Sequence, residues 1–130
     1  MKRCTPCGPV EDSESVSTDE FAERLAKVRE RFVSSLATKI DETYAALPHL
    51  AGDDVTVVPT VSETYRRIHG ISGIGLTVGF VKTGQAARDL ETVLLSPYRE
   101  QRGLVGSELN DFKKALDALH AAAHHELLTT

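Results

Sequence analysis

The 130-residue sequence has no tryptophan, one methionine and two cysteines, and only 5% of it is aromatic. Any core it builds is therefore mostly aliphatic. It has no run of about 18 apolar residues, so no membrane-spanning helix is expected. Basic charge is not in excess either: 15 Lys and Arg stand against 19 Asp and Glu, for a net charge of -4. A nucleic-acid partner would call for a basic face, and none is expected. Lys2 and Arg3 make the N-terminus basic, but no apolar stretch follows, so a secretory signal is not expected and the cytoplasm is the expected compartment. The two cysteines, Cys4 and Cys7, form Cys-Thr-Pro-Cys. A structural zinc ion takes four ligands, usually from two such pairs. The second pair is missing, so no metal is expected, and a zinc or thiol module on this tail is kept only as an alternative.

What is present suits one domain: 41% hydrophobic and 26% charged residues. Residues 1–17, with Pro and Gly near Cys7 and then Glu, Asp and Ser, read as a disordered tail, and residues 18–130 as the folded unit. Ser17-Thr18-Asp19-Glu20 has the form of a capping box. Behind it Phe21, Leu25, Val28, Phe32, Leu36, Ile40, Tyr44 and Leu47 recur at helical spacing, and Pro48 ends the run. His49 to Pro59 form a connection, with Val55 to Val58 extended. Thr60-Val61-Ser62-Glu63 is a second box, opening a helix whose inward face is Val61, Tyr65, Ile68, Ser72 and Gly75 or Leu76, and Gly79 suits a left-handed stop. A third helix runs from about Phe80, with Val81, Ala87, Leu90 and Leu94 inward, to Ser96-Pro97. Ser107 and Glu108 open the last, with Leu109, Phe112, Leu116, Leu119, Ala123 and Leu127 in a near-heptad stripe. Four such helices with short connections predict an all-α, up-and-down four-helix bundle. His120, His124 and His125 lie mostly off the last stripe and are expected to be solvated.

The second helix carries an anomaly. Arg66 to Phe80 holds Gly70, Gly73, Gly75 and Gly79 around the single His69, although each helical glycine costs ~1 kcal/mol relative to alanine. At about 100° per residue, His69 falls at the edge of the buried stripe. Arg66 precedes it by three positions and Gly73 follows by four. A residue at i+4 stands directly over residue i. Glycine at that point leaves an open shoulder beside the imidazole, and Gly70 clears the adjoining solvent face. The missing side chains predict access for another molecule.

The ordered set His69-x-x-x-Gly73-x-x-x-x-x-Gly79, then Ala86-x-x-x-Leu90-Glu91, resembles the histidine-containing phosphotransfer domain of phosphorelays. The resemblance spans about Ser62 to Leu94. It implies a four-helix bundle with His69 as the phosphorylated residue, Gly73 and Gly79 as the small residue beside it and the helix turn, and Glu91 as the polar partner of the imidazole. That family commonly has lysine three residues after the histidine, where this chain has Ser72, and leucine where it has Thr83. Arg66 or Lys82 could supply the missing positive charge. The partners implied are receiver domains of response regulators or hybrid kinases, which bring their own Mg²⁺. The chain itself needs no cofactor and is expected to act as a monomer.

Imidazole is a competent nucleophile near neutral pH. The sequence has no P-loop pattern and no kinase signature set, so it is expected to carry phosphoryl groups without making them from ATP. A dimeric kinase core is disfavoured because Gly70, not an acidic residue, follows His69, and no proline follows it until Pro97. The competing expectation is a helical-bundle adaptor that binds a signalling partner and never carries phosphate.

Overall fold

The computed structural model describes residues 8–129, with side chains from residue 18 onward. Four helices follow in order: α1 (Gly8–Ala46), α2 (Val57–Thr77), α3 (Val81–Glu100) and α4 (Gly106–Leu128), with a single 3-10 turn (Leu47–His49) after α1. There is no strand among the described residues. α2 packs most extensively on α3, and α3 on α4. α1 closes the ring against α2 and α4. Neighbours in sequence are thus neighbours in space, which is the expected up-and-down bundle. Cys4 and Cys7 lie outside the described residues, as does the first part of the expected tail. Among the described residues no helix is long and apolar enough to cross a membrane.

The core is aliphatic, as the composition requires. Leu36 and Ile40 of α1, Ile68 and Ile71 of α2, Leu90 and Leu94 of α3, and Leu116 and Leu119 of α4 are all buried. Phe32 and Phe80 meet edge to face at 5.3 Å. The inward stripes hold at their centres and fail at their ends. Phe21 is 64% exposed and Val28 lies at the surface. The Arg29 guanidinium donates to the Val78 carbonyl at 2.6 Å, so α2 ends level with Arg29. Before that level only Leu25 among the apolar stripe residues of α1 still packs against the core. Val81, expected inward, is exposed because it is the first residue of α3; Thr83 and Gly84 fill the inward positions instead.

Helix boundaries differ from the sequence pattern for local reasons. α1 is already helical at Gly8 and passes straight through Ser17, so the Ser17–Glu20 box does not start it. α2 starts at Val57, three residues before the Thr60 box. Asp54 Oδ1 accepts from the Thr56 amide at 3.0 Å and from its hydroxyl at 3.2 Å, and the Asp54 carbonyl accepts from the Val57 amide. Pro59 then falls in the first turn, where its missing N–H has no partner to lose. Val57 and Val58 are consequently helical, not extended. α3 runs through Pro97 to Glu100. It ends on Gln101 in the left-handed region, with the Gln101 amide donating to Tyr98 and the Arg102 amide to Pro97, a Schellman closure. α2 ends as expected on Gly79 at φ +92°, with the Phe80 amide donating to the Gly75 carbonyl at 2.8 Å.

Two glutamates hold helix starts from outside the expected boxes. Glu108 accepts from the Val105 amide at 2.9 Å and from both terminal nitrogens of Arg102 at 2.7 and 3.0 Å. Glu126, near the end of α4, accepts from the Thr83 amide and hydroxyl at 2.6 Å each and from the Lys82 amide at 3.3 Å. It caps α3 from a neighbouring helix and gives Thr83 a role that a leucine there could not play.

Hydrogen bonds from Arg102 hold the Glu108 carboxyl below its usual range. Burial pushes Glu126 up, but its bonds from Thr83 outweigh this and leave it below as well. Both therefore favour the folded state fully above the unfolded glutamate value of ~4.3, and lose that effect as pH falls through their lowered native values. Urea midpoints are expected to be flat near neutrality and to fall below about pH 4.3. Glu126→Gln is expected to cost about 1 kcal/mol at neutral pH and to show a shallower acid fall.

Candidate functional site

α2 and α3 approach closely because glycine meets glycine between them. A Cβ built on Gly75 would lie 3.3 Å from Gly84 Cα, and one on Gly84 would lie 2.8 Å from Leu76 Cγ. This contact brings Glu91, seven residues further along α3, level with His69 on α2. His69 Nδ1 stands 2.8 Å from Glu91 Oε2. The His69 side chain is 67% exposed and that of Glu91 only 19%.

Burial pushes the Glu91 carboxyl up, but hydrogen bonds from His69 and Ser72, with a smaller one from Tyr65, outweigh it and hold the group below its usual value. It is a carboxylate near neutral pH and can only accept. In the neutral ring the imidazole proton therefore sits on Nδ1, and the lone pair is on Nε2. No hydrogen bond reaches Nε2 among the described residues. The exposed ring thus has one nitrogen held on an anion and the other without a partner among the described residues.

Ser72 is buried at 4% exposure, and its hydroxyl lies 3.0 Å from both Glu91 Oε1 and the His69 carbonyl. The Tyr65 hydroxyl donates to Glu91 Oε2 at 3.3 Å. Burial and then the charge of Glu91 push the Tyr65 phenol up. Its ring stacks on Tyr98 at 4.1 Å and, more loosely, on His69 at 6.0 Å.

Of the residues singled out from sequence, His69, Ser72 and Glu91 meet in one hydrogen-bonded cluster. Arg66 stands exposed one turn earlier on α2. Gly79 serves the helix turn at the end of α2, away from the cluster. Tyr65 and Tyr98 were not singled out as site residues. Tyr65 was legible only as a core position, and the Tyr98 stack depends on α3 continuing past Pro97.

The glycines separate into two kinds. Added Cβ atoms at Gly75 and Gly84 would press on the neighbouring helix, whereas at Gly70 and Gly73 they would meet nothing within 4 Å. Packing explains the first pair and leaves the second unexplained. The space over Gly73 is open, and it adjoins the exposed imidazole. Among the described residues no group of three or more His, Cys, Asp or Glu side chains could hold a metal ion. His120, His124 and His125 are exposed, and His120 touches Tyr44 edge to face.

Compared with protein-family models, curated proteins and solved structures, the chain matches none.

Helix propensity alone governs Gly73 in the isolated protein. Gly73→Ala is expected to raise stability by about 1 kcal/mol in urea titrations. Gly84→Ala is expected to lower it despite the same propensity gain, because Leu76 must move.

Proposed function

We propose that the chain is a histidine phosphotransfer protein of a phosphorelay. It takes a phosphoryl group onto Nε2 of His69 from an aspartyl phosphate on a receiver domain and passes it to another receiver. The observation that carries this reading is the exposed His69 ring with no partner at Nε2 among the described residues, its Nδ1 held on Glu91, beside a shoulder that no internal contact requires to be empty. The resemblance of the His69, Gly73 and Gly79 pattern supports it as well.

The chemistry balances without a metal on this chain. The Nε2 lone pair bonds to phosphorus as the P–O bond to the aspartyl carboxylate breaks, and the electron pair leaves with that carboxylate. The ring keeps its Nδ1 proton and becomes positive. Glu91, 2.8 Å from Nδ1, stabilises that charge as it develops. Reversal onto a second aspartate breaks the N–P bond and returns the neutral ring. Catalysis of this kind relies on positioning and charge placement, and the receiver contributes its own Mg²⁺. Gly70 and Gly73 let its surface come within reach, and Arg66 is the nearest cation on the same helix column.

A second reading, a non-catalytic adaptor, is favoured by one observation. Ser72 occupies the position of the family's lysine and turns inward to Glu91, so it offers an incoming phosphoryl group no charge.

Incubation with a panel of phosphorylated receiver domains discriminates the two. Acid-labile label is expected on the wild type and none on His69→Gln. Gly73→Leu should remain folded and lose roughly 10²-fold in transfer rate, since small displacements of reacting groups cost that much. Absence of label across the whole panel, or undiminished labelling of His69→Gln, overturns the phosphotransfer reading. Cellular output that survives His69→Gln establishes the adaptor.

A further inference from the structure

We propose that Ser72 and Tyr65 are positioning residues: they hold the Glu91 carboxylate and the imidazole plane in the one arrangement that keeps the proton on Nδ1 and leaves Nε2 open. The use of this arrangement rests on the phosphotransfer reading above; its geometry does not.

A glutamate at a helix edge has freely turning side-chain bonds and, unrestrained, samples several rotamers. Glu91 is restrained at both oxygens. Oε1 accepts from Ser72 Oγ at 3.0 Å, and Oε2 takes His69 Nδ1 at 2.8 Å with Tyr65 Oη at 3.3 Å. Ser72 is suited to this because it belongs to the same turn of α2 as His69. Its hydroxyl has one proton and two acceptors within reach, Glu91 Oε1 and the His69 carbonyl, so the carboxylate is tied to the backbone that carries the imidazole. At 4% exposure Ser72 has little water to compete for that proton.

Tyr65 acts on the other coordinate. It precedes His69 by one turn, and its ring lies nearly parallel to the imidazole, 11° apart, and to Tyr98, 13° apart. Tyr98 backs Tyr65 from α3, and Tyr65 in turn limits how far the imidazole can swing from the plane in which Nδ1 meets Glu91. A carboxylate released from Ser72 could turn away from Nδ1. The imidazole would then be free to exchange tautomers, and the Nε2–H form has no lone pair to present to phosphorus.

The test reads the tautomer directly in the full chain without phosphate. ¹⁵N chemical shifts of His69 are measured for wild type, Ser72→Ala, Tyr65→Phe and Tyr65→Leu, at a pH where the ring is neutral, with circular dichroism to establish folding. The wild type is expected to be almost wholly Nδ1–H. The ratio of Nδ1–H to Nε2–H should fall roughly 5-fold in Ser72→Ala, the factor that one ordinary hydrogen bond is worth, and by less in Tyr65→Phe. Phosphoramidate then serves as a small phosphodonor, and Ser72→Ala should be labelled more slowly than wild type. An unchanged tautomer ratio in folded Ser72→Ala or, should that variant not fold, in a folded Tyr65→Leu, which lacks both the hydroxyl and the stacked ring, overturns the proposal. The two readings fail separately. A falling ratio in a protein that takes no phosphate from any donor leaves the positioning intact and removes the phosphotransfer. Labelled wild type with an unmoved ratio removes the positioning alone.

Discussion

The close crossing of α2 and α3 is the constraint on which the rest depends. Gly75 and Gly84 let the two backbones approach to a distance that no pair of side chains would permit. Leu76 then fills the shoulder over Gly84. This sets the height at which α3 passes α2, and with it the position of Glu91 under His69. A wider crossing would put the carboxylate out of reach of Nδ1. The imidazole would then be an ordinary solvated histidine with no fixed tautomer. The contact that looks like core packing is thus also the first element of the site.

Much of this was legible in the sequence, because helical periodicity reports burial wherever a helix has neighbours on one side. The stripe Phe32, Leu36 and Ile40 and the stripe Phe112, Leu116 and Leu119 landed in the core for that reason. The same rule could not see where neighbours end. Phe21 and Val28 fit the spacing, yet α2 stops level with Arg29 and leaves them uncovered. Helix starts were less legible still. Two capping boxes matched the pattern and neither starts a helix, because a cap acts only where the chain already bends. Asp54 bends it three residues earlier. Pro97 reads as a stop, but a proline in the last turn sacrifices only one bond, and burial of its ring offsets part of that loss.

The site divides along the same line. His69 and Gly73 stood out through the glycines around a single histidine, whereas Ser72 and Glu91 were indicated as site residues only by the resemblance of the pattern. Their hydrogen bonds were not legible, since the rotation of one helix against another is a property of packing. Glu126 was wholly hidden: it caps α3 across 43 residues of sequence, and nothing local to either residue signals the pairing. The distinction between the two kinds of glycine was hidden as well. Gly70, Gly73 and Gly75 interrupt the same helical run, and only the neighbouring helices show that Gly75 is needed for packing while Gly70 and Gly73 are not.

The donors around Glu91 bear on what the site can do. Ser72 and Tyr65 are neutral, and both leave the carboxylate its full negative charge while holding it still. A lysine in place of Ser72 would form an ion pair with Glu91, and part of the carboxylate's field would then be spent on that partner. With neutral donors the field is directed at the imidazole. A ring that becomes positive when Nε2 forms a bond gains more from such an anion than a neutral ring does, so the interaction is stronger in the charged product than in the resting state. Interactions that strengthen along the reaction coordinate are the ones that lower its barrier. In the phosphotransfer proposed above, an anionic phosphoryl group on Nε2 would lie at the far side of the ring, where the carboxylate repels it least, and Arg66, exposed one turn earlier on α2, would be the cation to offset the remaining repulsion.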